Sequence, residues 1–250
     1  MTTVAELIVE SLAEHGVRSV WGVVGDSLNP VTDAIRREDR VEWVGVRHEE
    51  AGAFAASAQA QLTDELAVCM GTVGPGAVHL LNGLYDARKS HAPVLAIVGQ
   101  VPTEDIGSDF FQEVDNDAVF ADVAAWTRTL TSVDQMPHLL EEAVNAAIST
   151  RGVAVLSIPG DVGGLDLPRG TRTPSFVPPP PPAVAEAGSI AVAAGVLNDA
   201  KRVTILAGIG AAGAVPEVGE LATTLQAPIV VTLKAKELFD ADEHEIGQSG

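Results

Sequence analysis

Apolar positions along this chain follow two rhythms. Val4, Leu7, Ile8 and Leu12 fall at helical spacing and Gly16 stands where a C-cap belongs, so the chain opens on a helix. The apolar run from Ser19 to Val24 reads as a strand ending in a Gly25-Asp26-Ser27 loop. A helix from Pro30 to Arg37, a strand from Glu42 to Val46 and an alanine-rich helix from Glu49 to Leu62 follow. Leu66 to Met70 and Pro93 to Val98 are unbroken apolar runs, the pattern of strands covered on both faces. Between them Gly74-Pro75-Gly76 opens a helix that runs to Lys89. Residues 101–117 have no period and hold Phe110 and Phe111 among Gly and Asp, the composition of a functional loop. A strand from Thr127 to Ser132, a helix from Met136 to Ser149 and a strand from Val153 to Ile158 close the series at Pro159-Gly160-Asp161. The alternation predicts an α/β fold, a mostly parallel sheet with helices on both faces.

Pro168, Pro174 and the run Pro178 to Pro182 then break the pattern. They predict an extended linker over 166–187, between a domain at 1–165 and a second block at 188–250. A spacer is one reading of the proline run and a docking motif is another. The second block reads as helix 190–197, strand 203–207, glycine-rich turn 208–213, helix 215–225 and strand 228–233. Glu237 to Glu245 adds five acids and no apolar period. Two strands make no self-sufficient parallel sheet. The block therefore reads as an incomplete Rossmann-like α/β domain, whose open edge favours association.

Charge narrows the function classes. The 250 residues carry 34 acids against 15 Lys and Arg, a net charge of −19. Such a surface repels phosphate backbones and anionic lipid, so no nucleic-acid partner is expected. No apolar run approaches the ~20 residues of a membrane span, and the first residues lack the basic and apolar regions of a signal peptide. The single cysteine, Cys69, permits no internal disulfide and fits a reducing cytoplasm.

Three segments could carry chemistry. Gly208-Ile-Gly210-Ala-Ala-Gly213 follows a strand and opens a helix, the pattern in which bare backbone admits a pyrophosphate. An NAD site also needs an acid on the ribose at the end of the next strand. Lys234 and Lys236 stand there and cannot accept a hydrogen bond. A tight turn, an NADP site or a differently posed nucleotide stay open. Gly71-Thr-Val-Gly74-Pro75-Gly76 lacks the Lys-Ser/Thr of a P-loop, and is either a plain turn or a backbone cradle at the sheet's C-terminal edge. Arg47-His48-Glu49-Glu50 lies at a strand-to-helix junction, where the dipole favours acids. The alanine-rich helix behind it packs closely, so one of the acids can be buried, and a buried carboxyl can exchange a proton near neutrality. His48 reads as structural and Cys69 as inert core.

In this order, Arg47-His48-Glu49-Glu50, then Gly74-Pro75-Gly76 with Asn82-Gly83, then Phe111-Gln112-Glu113 resemble the thiamine-diphosphate-dependent enzymes. The likeness covers residues 3–161, as the pyrimidine-binding domain of that family. Trp21 to Asn29 and Ile97 to Gln112 most resemble its pyruvate oxidase and pyruvate:quinone dehydrogenase branch, with acetolactate synthase next; Asp122 to Trp126 lacks the basic residue usual in acetolactate synthase.

The resemblance implies that Glu49 is the catalytic acid against the aminopyrimidine ring. It puts Gly74, Pro75, Gly76 and Asn82 around that ring, Phe111 and Gln112 on the substrate side, and leaves Glu50 as a helix-start acid. It implies FAD at Gly208, Gly210, Gly213, Ser249 and Gly250. It further implies decarboxylation of pyruvate or a similar 2-keto acid, with a carboligase or a non-catalytic partner-binding module as alternatives. The family holds magnesium and the diphosphate through a Gly-Asp-Gly motif that does not occur here. A chain without it is expected to be the N-terminal portion of a larger enzyme. It would be inactive alone, and would work as a homo-oligomer or beside a partner that carries the diphosphate-binding domain. Peripheral membrane contact is expected only of a full-length enzyme, and this chain supplies no metal ligand.

Overall fold

The computed structural model describes residues 2–178, 181 and 183–249, and it divides into two compact units, Met1–Pro180 and Pro181–Gly250. The first unit runs α1 (Val4–His15), β1 (Ser19–Gly22), α2 (Asn29–Arg37), β2 (Glu42–Gly45), α3 (Glu49–Thr63) and β3 (Ala67–Gly71). It continues with α4 (Pro75–Val78), α5 (Leu81–Ser90), β4 (Val94–Gln100), α6 (Asn116–Phe120), β5 (Trp126–Thr129), α7 (Met136–Thr150) and β6 (Val153–Pro159). The six strands form one parallel sheet in the order β2-β1-β3-β4-β6-β5.

Alternation of side chains along each strand divides the core into two layers. In β3, Val68 and Met70 join the layer of α1, α2 and α7, whereas Ala67 and Cys69 join the layer of α3 and α5. The first layer is built from Leu, Ile and Val, and the second is crowded with alanine. Small residues bring α3 close to its neighbours. A Cβ added at Gly83 of α5 would lie 2.5 Å from both the Ala53 Cβ and the Phe54 amide nitrogen of α3. One added at Gly52 would lie 3.4 Å from the backbone nitrogen of Gly22 in β1.

Three differences from the sequence reading have physical causes. The helix expected from Gly74 to Lys89 tightens at His79 and Leu80, where the Leu80 amide bonds to the Ala77 carbonyl at 3.1 Å, one residue short of the α-helical reach. The loop at 101–117 ends in α6, whose first turn is capped by the Asp115 side chain accepting from the Ala118 amide at 3.0 Å. Part of the segment read as a spacer is tethered. The Glu141 carboxylate accepts from Ser175, Asn145 accepts from the Val177 amide, and the Phe176 ring meets His15 edge-on at 5.0 Å. The reading of Pro179, Pro180 and Pro182 lies outside the described residues.

The second unit contains α8 (Ala187–Asp199), β7 (Ile205–Ala207), α9 (Val215–Leu225), β8 (Ile229–Thr232) and β9 (Glu245–Ser249). Its parallel sheet has the order β7-β8-β9, three strands where the sequence predicts two. The last was missed because Glu245–Ser249 has an apolar residue only at Ile246; its backbone pairs with β8 all the same, across an irregularity at Ile229 to Val231. Ile229, Val231 and Phe239 form a small core beside Ala207, Ala222 and Ala235. No residue of α8 is buried. Among the described residues no helix is long and apolar enough to cross a membrane.

Cys69 has no exposed surface, and burial pushes its thiol up to about 12. In the native chain at pH 8 a thiol reagent should leave Cys69 unlabelled over hours, and should label it within minutes in concentrated guanidinium. Rapid native labelling would contradict the packing described for β3.

Candidate active site

The order of the sheet places a crevice. From β1 the chain adds β2 on one side and β3 then β4 on the other, so the direction of winding changes between β1 and β3. Open α/β sheets carry ligand sites at the C-terminal ends of strands at such a point. The turns after β1, β2 and β3 begin at Gly22, Gly45 and Gly71.

After β2 the backbone stays extended at His48 (φ −156°, ψ 137°) and then turns into α3. The Nδ1 atom of His48 accepts the Glu50 amide at 3.2 Å and so caps the helix. Glu49 is the first helical residue, and only 9 % of its surface is exposed. Its Oε2 atom accepts from His79 Nδ1 at 3.0 Å, with the His79 ring proton on that nitrogen. The His79 ring stacks on His48, with centroids 4.4 Å apart and planes at 28°.

The other wall is backbone. Gly74 has φ +64° and ψ −117°, a conformation that glycine alone adopts freely. A Cβ on Gly74 would lie 2.8 Å from the Gln112 carbonyl oxygen, so the main chain of Gln112 rests on it. A Cβ on Gly76 would lie 3.2 Å from Glu49 Oε1 and 2.7 Å from the Thr72 methyl. Bare backbone therefore faces the carboxylate oxygen that His79 does not engage. The turn is pinned from β1's side: Ser27 Oγ accepts the Val73 amide at 3.1 Å and lies 2.9 Å from Thr72 Oγ1.

Glu49, Gly74, Gly76 and Gln112 thus come together in the first unit. Pro75 starts α4 between the two glycines. Asn82 donates to Glu50 Oε1 at 3.2 Å, which ties α5 to the first turn of α3 and involves the neighbouring acid. Phe111 is 81 % exposed. Gly208, Gly210 and Gly213 belong to the second unit, where Gly208 caps a 3-10 turn over Ile209–Ala214. Ser249 ends β9, and Gly250 lies outside the described residues.

Sequence reasoning missed His79, Ser27 and Thr72. The available signal was position: His79 stands three residues after Gly76, at the C-cap of the helix that carries the bare glycine. Donor atoms of His48, Glu49 and His79 lie within 4.8 Å of one another, spacing that could interest a metal. The two rings stack, however, so their in-plane lone pairs run side by side, and His48 Nδ1 already holds an amide proton. The trio suits orienting a carboxylate better than enclosing a cation.

The thiamine pyrophosphate enzyme N-terminal TPP binding domain matches residues 2–119, and the thiamine pyrophosphate enzyme central domain matches residues 190–250. The chain is 43 % identical to an uncharacterized 42.6 kDa protein in the isoamylase 3′ region of Pseudomonas amyloderamosa, with 100 % of the chain and 63 % of that protein covered. It is 39 % identical to pyruvate oxidase of Lactiplantibacillus plantarum, covering 92 % of the chain and 38 % of the relative. Against acetolactate synthase isozyme 1 large subunit of Escherichia coli the identity is 34 %, covering 93 % and 42 %. The chain therefore spans from about two fifths to under two thirds of the lengths of these relatives.

Gly76→Ala would drive a methyl against Thr72 and toward Glu49. Thermal or urea unfolding should show a loss of roughly 1–3 kcal/mol, the usual range for overpacking. An unchanged melting curve would mean that the Gly76 wall is looser than described.

Proposed function

The chain belongs to the thiamine pyrophosphate enzyme family, and from that premise we propose that it carries the aminopyrimidine half of a thiamine diphosphate site with Glu49 as its acid. The observation that carries the reading is the pairing of a nearly buried carboxylate with bare backbone at Gly76. Glu49 Oε1 is the oxygen that His79 leaves unengaged, and a ring nitrogen of the cofactor would meet it there. When bound, thiamine diphosphate supplies a carbon nucleophile that adds to a keto carbon and holds the electrons left as carbon dioxide departs.

The chain's own residues then have separable tasks. Glu49 Oε1 would hold or pass a proton at the ring nitrogen it faces. His79 fixes Oε2, and with it the direction of Oε1. Gly74, Pro75 and Gly76 let the ring approach the main chain, and Asn82 steadies the α3–α5 pair through Glu50. Phe111 and Gln112 would meet the substrate.

For the whole protein we propose a 2-keto acid of the pyruvate type as substrate and an oxidase or quinone-linked outcome, supported by the 39 % identity to a pyruvate oxidase. An acetolactate-forming carboligase is the second reading, supported by the 34 % identity to an acetolactate synthase. Whether the products are acetate with electron transfer or acetolactate decides between them. Assembly with a diphosphate-binding region, in a second copy or a partner, belongs to the same proposal, as does a reducing cytoplasmic setting for the buried Cys69 thiol. FAD is proposed at Gly208, Gly210 and Gly213. A Cβ added at Gly210 or Gly213 would have no neighbour within 4 Å, so the chain's own packing does not require glycine there and the backbone is open to a ligand.

Calorimetry with thiamine diphosphate and magnesium tests the central reading. The chain should bind, and Glu49→Gln should weaken binding about tenfold or more, or ~1.4 kcal/mol. Equal affinity in the variant would remove Glu49 from its role. No heat with the unaltered chain would count against this chain holding the ring by itself.

A further inference from the structure

The segment that presents Phe111 and Gln112 has an unusual source of order. None of residues 102–115 is buried, so apolar packing does not hold it. It nevertheless carries three left-handed residues within six, Gly107 (φ +87°), Asp109 (φ +59°) and Gln112 (φ +73°). For Asp109 and Gln112 that conformation costs free energy, and it persists only where surrounding bonds over-determine it.

The bonds converge on one carboxylate. Glu113 accepts the Gly107 amide on Oε1 and the Phe110 amide on Oε2, the latter at 3.2 Å. Its own amide donates back to the Phe110 carbonyl at 2.7 Å. The Gly107 amide first, and those of Phe110, Asp109 and Ser108 with it, hold the Glu113 carboxyl below its ordinary range. Hydrogen bonds to an ionised acceptor are about twice as strong as neutral ones. At its far end this loop seats the Gln112 main chain on Gly74, inside the turn that faces Glu49.

We propose that Glu113 is the positioning residue of the site: its carboxylate gathers the backbone N–H groups of residues 107–110 and so holds Gln112 against the Gly74 turn, with the exposed Phe111 beside it. What those two residues then meet rests on the thiamine diphosphate reading above; the dependence of the loop on Glu113 does not. The hydrogen bonds of Glu113 stay within its own loop, at Gly107 and Phe110, so it acts on the Gly74 turn through the loop it winds.

Amide hydrogen exchange followed by mass spectrometry tests this on the full chain. Glu113→Gln should speed exchange about tenfold over residues 107–112 and also over 72–79, a stretch to which Glu113 makes no hydrogen bond. Glu113→Asp, which keeps the charge on a shorter arm, should fall between the variant and the original. A Glu113→Gln chain with 72–79 as protected as before would overturn the proposal, because Glu113 would then order its own loop and nothing else. A further arm adds thiamine diphosphate with magnesium, which should protect 72–79 in the original chain and less in Glu113→Gln. Absence of that protection in the original chain counts against this chain holding the ring by itself, while exchange in the free chain still decides the role of Glu113.

Discussion

Helix α3 can lie against β1 and β3 because the residues it buries behind Glu49 are no larger than alanine or serine. Gly52 meets the backbone of Gly22, Ala53 meets Gly83 of α5, and Ala56 and Ala60 continue the buried stripe. Packing at this distance fixes the helix axis, and with it the place of the first helical residue. Glu49 is that residue, so its position follows from the small residues between Gly52 and Ala60 that come after it. The acid sits at the strand ends only because the helix behind it has no bulk to push it away. Larger side chains along α3 would shift the carboxylate without any contact to it, since close-packed interiors transmit displacement.

The first unit was legible because its signals are redundant. Unbroken apolar runs at Leu66–Met70 and Pro93–Val98, and the stretch Val153–Ile158 interrupted only by Ser157, read as buried parallel strands, and Gly16 marks the end of α1 with a left-handed φ of +109°. What stayed hidden depends on groups distant in sequence. His79 gains meaning only when α4 lies opposite the start of α3, and Ser27 only when the turn after β1 reaches Val73. No local period reports such contacts. Strand β9 escaped for a different reason: a strand recognised by its backbone partner needs no apolar rhythm of its own.

Glycines have opposite meanings in the two units. In the first, Gly74 and Gly76 are required from within, one by its φ and ψ and the other by Thr72 and Glu49. In the second, Gly210 and Gly213 meet nothing nearby. A sequence pattern rich in glycine cannot separate these cases, because close approach by the protein and close approach by a ligand leave the same residue. Only neighbouring atoms distinguish them.

Three acids stand in or beside the site, and their hydrogen bonds sort them. Glu113 is saturated by main-chain amides and held as a carboxylate, which makes it a fixture of the loop and a poor proton donor near neutrality. Glu50 is engaged by Asn82 across two helices. Glu49 alone of the three combines near-complete burial with one oxygen held by His79 and the other turned toward bare backbone. A group that must exchange a proton with a ligand needs one atom held and one atom free. Burial by itself would not meet that condition, and neither would a complete set of partners. The same count explains why the adjacent acids Glu49 and Glu50, one residue apart in sequence, cannot exchange roles: successive helical residues project about 100° apart, so only the first faces Gly76.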